Sequence, residues 1–228
     1  MDQPYKPPGA PQVAPKPAFI DTLARSIRRA LASGWPGMLA ACAVGALSAA
    51  LQVGIRALLA AEEQQWVSEL SIQGATVLVN VLGLSAVLAW NLPRLEGSTE
   101  PFALVYGRLL KLRVWVVPLV ALGLVLVLPG IAAALLLAVA VPAVALRPGH
   151  RWGQEIGPSM GVLLLVGVPY ALLWYPFLSV LSTYSDLGSV LAVFDALLVV
   201  FIFQLLGAWL LERPRDTPLP PPPWEAEA

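Results

Sequence analysis

One cysteine, one histidine and a charged fraction of only 12% leave this 228-residue chain little material for the usual chemistries of a soluble protein. A lone Cys42 excludes a disulfide framework within the chain and argues against a cysteine-ligated metal. A lone His150 supplies too few ligands for a histidine-based zinc or haem centre. Soluble domains carry about 25% charged residues, so the deficit is too large for an ordinary core. Formal net charge is zero, which gives no global attraction to nucleic acid. No phosphate-cradling glycine loop with lysine occurs, no multi-aspartate headgroup motif, and no serine set beside a base. The reading is therefore non-enzymatic, with no cofactor or metal. Residues 1–18 lack the early apolar core of a cleaved signal peptide, so the first apolar run is expected to stay as an anchor.

What the chain has is apolar length. It is 58% hydrophobic, with mean hydropathy +0.75. Residues 1–18 hold six prolines (Pro4, Pro7, Pro8, Pro11, Pro15 and Pro17) and are expected to be an extended, disordered tail, as are residues 212–228. Between them the pattern predicts one transmembrane domain, 19–211. Spans fall at about 35–58, 72–92, 158–181 and 188–211, each long enough for ~30 Å of hydrocarbon. The stretch 114–146 has no charge and is interrupted by Pro129-Gly130. As one helix it would run about 50 Å, so it is read as two spans folded at that turn signal. The fold class is thus all-α: a polytopic helical bundle of six spans.

Two segments read as amphipathic helices on the membrane surface. In 19–33, Phe19, Ile20, Leu23, Ile27, Ala30 and Leu31 recur at helical spacing, flanked by Arg25, Arg28 and Arg29. A plain extension of the first span fits the same residues. In 99–113, Phe102, Val105, Leu109 and Leu112 oppose Arg108, Lys111 and Arg113, and Ser98 or Thr99 is placed to cap the helix. These six basic residues are the candidate contacts to anionic headgroups.

Six spans put both ends of the chain on one side, with Lys6, Lys16, Arg25, Arg28, Arg29, Arg94, Arg108, Lys111, Arg113, Arg147, Arg151, Arg213 and Arg215. Of the 14 basic residues only Arg56 falls opposite. Basic residues concentrate on the cytoplasmic side, which orients the chain with both termini inside. Trp35, Trp90 and Trp209 near inner ends and Trp174 near an outer end match the aromatic belts of a bilayer.

Leu128-Pro129-Gly130-Ile131, the run AAALLLAVAVPAVAL with Pro142, the basic stretch YGRLLKLRVW before it and Gly157-Pro158-Ser159-Met160 together resemble a bacterial six-span family. It comprises YciC-like proteins and the membrane domain fused to some glycerophosphodiester phosphodiesterases. The likeness covers most of 19–211 and implies a location in the bacterial cytoplasmic (inner) membrane. The phosphodiesterase activity of that family belongs to a separate barrel, and no such barrel is expected here. His150-Arg151-Trp152-Gly153 departs from the enzyme's His-Arg-Gly motif by an inserted tryptophan and reads as a basic loop.

Asp195, in the last span, is the sharpest polar candidate, because an ionisable group in hydrocarbon is costly. Arg56 is its expected partner, either for function or simply for helix packing. Asn80, Asn91, Gln73 and Gln204 could line a polar path, though such amides more often bond between helices. Ala41, Gly45 and Ala49 make a small-residue stripe for close helix approach, and Gly157 with Gly161 a weaker one. Pro169 and Pro176 around Tyr170, Trp174 and Tyr175 predict an irregular fifth span. The leading reading is an accessory, scaffold or membrane-organising protein; a small transporter or lipid-handling permease is the alternative. Expected partners are the bilayer with its anionic lipids, and a membrane protein or a second copy of the chain.

Overall fold

A computed structural model describes residues 18–59, 65–112, 127–146, 152–170 and 185–213. They form helices α1 (Phe19–Leu58), α2 (Gln65–Glu96), α3 (102–112), α4 (Val127–Leu146), a short 3₁₀ turn (Trp152–Glu155), α5 (Ile156–Pro169) and α6 (Ser185–Glu212). No strand occurs among the described residues. The all-helical class therefore stands.

α1 is a single helix of 40 residues. Its buried side is Thr22, Ser26, Ala30, Gly34, Gly37, Ala41, Gly45, Ser48 and Ala49, small residues spaced mostly four apart. Between membrane helices apolar burial gives little drive, so close backbone approach supplies the contact, and small residues permit it. A Cβ on Gly45 would sit 2.7 Å from the Val193 Cα and 2.9 Å from the Ala192 carbonyl oxygen of α6. The expected stripe Ala41–Gly45–Ala49 is thus the seam between α1 and α6. Ser26 Oγ donates back to the Thr22 carbonyl at 2.8 Å, so a buried hydroxyl is satisfied within the helix.

Contacts fix the directions. Arg29 meets Leu95, Gly34 meets Asn91 and Val44 meets Gly83, so α1 and α2 are antiparallel. Arg29 meets Glu212, Gly34 meets Gln204 and Gly45 meets Val193, so α1 and α6 are antiparallel too. The start of α1 and the ends of α2 and α6 share one end of the bundle. The bulky core lies among the other helices: Leu88, Leu92, Leu95, Val105, Leu109, Val141, Leu146 and Val200 in one cluster, and Val139, Val162, Leu163, Leu205, Leu206 and Trp209 in another.

α2 stops in a glycine cap. Gly97 takes φ 76°, its N–H donates to the Arg94 carbonyl at 3.1 Å, and the Ser98 N–H reaches back to Pro93 at 3.0 Å. Ser98 Oγ then accepts from the Glu100 N–H at 3.2 Å, and α3 follows. The Tyr106 hydroxyl donates to the Leu82 carbonyl at 3.5 Å, so α3 folds back along α2.

Three helices among the described residues, not six, are long and apolar enough to cross a membrane: Phe19–Leu58, Leu78–Glu96 and Val190–Glu212. Leu136–Leu146 and Ile156–Pro169 are apolar but shorter. The chain is a membrane protein by this measure. Two differences from the sequence reading have physical causes. The segment 19–33 is no separate helix but the extension of the first span, the other of its two readings, because the break signals Gly34, Pro36 and Gly37 are all carried inside α1. Pro129-Gly130 forms no turn either: both lie in the first turn of α4, where a missing N–H costs nothing. Stretches 113–126 and 171–184, on which the other spans depend, lie outside the described residues, as do the tails 1–17 and 214–228.

Candidate functional site

Charged and polar side chains gather at three levels along the α1–α6 pair. At the shared end, Glu212 takes Arg25 Nε at 3.4 Å and Arg29 Nη1 at 2.5 Å. Arg29 Nε also donates to the Leu95 carbonyl at 2.9 Å, so one guanidinium joins the ends of α1, α2 and α6. Arg213 donates to Glu155 at 3.1 Å, and that carboxylate is only 3% exposed. Glu155 ties the 3₁₀ turn and α5 to the end of α6. Arg94 lies 3.9 Å over the Trp90 ring, a cation–π contact. The six candidate headgroup residues divide. Arg25 and Arg29 are engaged with Glu212, Arg108 pairs with Glu100, and Arg28 and Lys111 are exposed. Arg113 lies outside the described residues.

About eight residues deeper, some 12 Å along the helix, is an amide cluster. Gln204 Nε2 donates to the Gly34 carbonyl at 3.1 Å and Asn91 Nδ2 to the same oxygen at 3.4 Å. Both side chains are fully buried. A Cβ on Gly37 would lie 2.5 Å from each amide nitrogen, so the two glycines make room for both side chains. The amide oxygens Asn91 Oδ1 and Gln204 Oε1 have no hydrogen-bond donor among the described residues. Gln204 Oε1 lies 2.3 Å from where a Gly34 Cβ would be, so a Gly34 Cα–H points at it, a weak contact. The packing reading of Asn91 and Gln204 fits this arrangement. Asn80 is half-buried, and the Gln73 side chain lies outside the described residues.

Near the far end the Tyr170 hydroxyl donates to Asp195 Oδ1 at 2.8 Å. Tyr170 follows Pro169 at the end of α5, and its N–H is shared between the Gly167 and Val166 carbonyls. Asp195 is half-buried in α6. Arg56 is exposed in the last turn of α1, and no ion pair joins it to Asp195 among the described residues. The register explains why. Gly45 faces Val193 and Ala196, which sets the Asp195 level on α1, and Arg56 is about eleven residues, or about 16 Å, farther along.

Sequence reasoning missed Glu155, Glu212 and the pairing role of Tyr170. A usable signal existed for the last: a phenol in an apolar run needs an acceptor, and Asp195 was the acid at hand. Gly161 faces the Phe19 ring, its would-be Cβ 3.1 Å from Cε2, while Gly157 has no neighbour within 4 Å. Cys42 is a free, half-buried thiol. No group of three or more metal-ligating side chains occurs among the described residues. His150, Trp174 and Pro176 lie outside them.

Comparison with protein-family models, with curated proteins and with solved structures finds no match to this chain.

Proposed function

We propose that this chain is a non-enzymatic protein of the bacterial cytoplasmic membrane, an accessory or scaffold that organises membrane components and resembles the YciC-like family. In this reading it spans the bilayer six times with both termini inside, and its partners are anionic lipid and a membrane protein or a second copy. The observation that carries it is the convergence of Gln204 and Asn91 on the Gly34 carbonyl. Amides at membrane depth are spent on holding three helices together, as in a packed support. The spacing of charge along α1 supports the crossing: between Arg29 and Arg56 lie about 40 Å of helix without a charged residue, close to a bilayer with its headgroups. The adjacency of Phe19 and Trp209, with ring centroids 5.1 Å apart, supports a common side for both ends of the bundle.

Affinity purification in mild detergent, with co-purifying proteins and lipids identified, tests the reading. A specific partner, retained in Asp195→Asn, is the expected result. The permease alternative draws on Tyr170–Asp195, an ionisable group in an apolar helix hydrogen-bonded to the residue after Pro169. Solute flux into proteoliposomes that Asp195→Asn abolishes at normal expression would replace the scaffold reading. Accessibility tags that place the two termini in opposite compartments would remove the topology.

A further inference from the structure

The first turns of α1, like the rest of the helix, bury small residues and turn large apolar ones outward. Thr22, Ser26 and Ala30 are inside, while Ile20 is 75% and Leu31 50% exposed, with Ile27 between them. Arg25 and Arg28 flank that outward apolar stripe and are exposed. Large apolar groups turned outward beside guanidiniums are what a helix offers to an anionic bilayer surface.

The same segment leans across the bundle end. Phe19 lies about ten residues, or about 15 Å of straight helix, before Arg29. Its ring nevertheless packs 5.1 Å from Trp209, which precedes Glu212 on the way into the bundle. At Pro36 the buried stripe changes its step from Gly34 to Gly37, and Pro36 has no N–H to give the Ala32 carbonyl. Beyond this weakened turn the arm is held by the Arg29–Leu95 bond, by Phe19 on Trp209 and by Glu212, and the ion pairs to Glu212 are open to solvent: Arg25 is 46%, Arg29 34% and Glu212 22% exposed in their side chains.

We infer that residues 19–34 form a strap across the cytoplasmic end of the bundle, and that anionic phospholipid opens it. The headgroup phosphate takes Arg25 and Arg29 from Glu212, since a guanidinium fork fits phosphate as well as carboxylate. The outward stripe of Ile20, Ile27 and Leu31 then settles into the leaflet, with Pro36 as the hinge. This rests on the proposed membrane-organising role and names the lipid chemistry that would operate it.

Spin labels at Ile20→Cys and Gly157→Cys, in a Cys42→Ala background of the full chain in bilayer discs, report the distance from strap to α5. Phosphatidylcholine should give one short separation, and phosphatidylglycerol should raise a longer population by roughly threefold or more. Glu212→Gln should raise the longer population without anionic lipid, by up to roughly fivefold, and Arg25→Gln should blunt the lipid response. Inorganic phosphate added to phosphatidylcholine discs should leave the short separation, which separates a headgroup from a free anion. An unchanged distance in phosphatidylglycerol, an equal response to inorganic phosphate, or an unaltered Glu212→Gln overturns the strap. Should the Gly157 label disturb folding, Ser98→Cys serves instead. A scaffold that loses its partner in purification leaves these distances unaffected, so the two ideas fail separately.

Discussion

Gln204 Nε2 donates to the Gly34 carbonyl at 3.1 Å, across the seam where α1 meets α6. The seam is close because its glycines lack side chains, and two of them meet different neighbours. At Gly37 an added Cβ meets the ends of two buried amide side chains, which can swing aside only by giving up their hydrogen bonds to the Gly34 carbonyl. At Gly45 it meets α6 backbone, which cannot. Gly45→Ala should therefore destabilise more than Gly37→Ala, by about 2–3 kcal/mol against about 1–2. Thermal unfolding in detergent measures both, and equal losses would contradict the backbone argument.

Tyr170 and Asp195 are coupled by a 2.8 Å hydrogen bond, and Arg56 is too far along α1 to share it. A double-mutant cycle with Tyr170→Phe and Asp195→Asn should return a coupling of about 0.6–1.7 kcal/mol, the range for hydrogen bonds between membrane helices. The cycle with Arg56→Gln and Asp195→Asn should return less than about 0.3 kcal/mol. A large Arg56 coupling would restore the pairing expected from composition alone.

Burial separates two leucines of equal composition. Leu88 is fully buried in the core cluster that α2, α3, α4 and α6 build, whereas Leu39 is 60% exposed on α1. Leu88→Ala should cost about 2 kcal/mol or more through lost contacts and a residual cavity. Leu39→Ala should shift stability by no more than about 0.5 kcal/mol. Denaturant titration in detergent distinguishes them.

Periodicity carried the helices, because a membrane helix must satisfy every backbone group internally and so writes a long apolar run. Small residues carried the α1 seam, since Ala41, Gly45 and Ala49 have no other use at that spacing. Partner choice did not follow. Arg56 and Asp195 both read as lying near the outer ends of their spans, but pairing depends on the register of α1 against α6, and Gly45 sets that register through backbone contact. Pro129-Gly130 misled for a different reason: the first turn of a helix tolerates both residues, so a turn signal and a helix start look alike. Glu212 read as the edge of a tail, yet its reach to two arginines on α1 closes the bundle end.

The two carboxylates at that end should respond differently to removal. Glu212 is partly open to water, and such pairs are worth about 0–1 kcal/mol and weaken with salt. Glu155 is 3% exposed and holds Arg213 at 3.1 Å, where salt screens little. Arg213→Gln takes the guanidinium from a carboxylate shut away from water and should cost about 2–4 kcal/mol. Glu212→Gln should cost under about 1 kcal/mol at low salt and less at high salt. Unfolding followed at two ionic strengths gives both numbers. A salt-sensitive Arg213→Gln penalty no larger than that of Glu212→Gln would mean the Glu155 pair is as wet as the outer one.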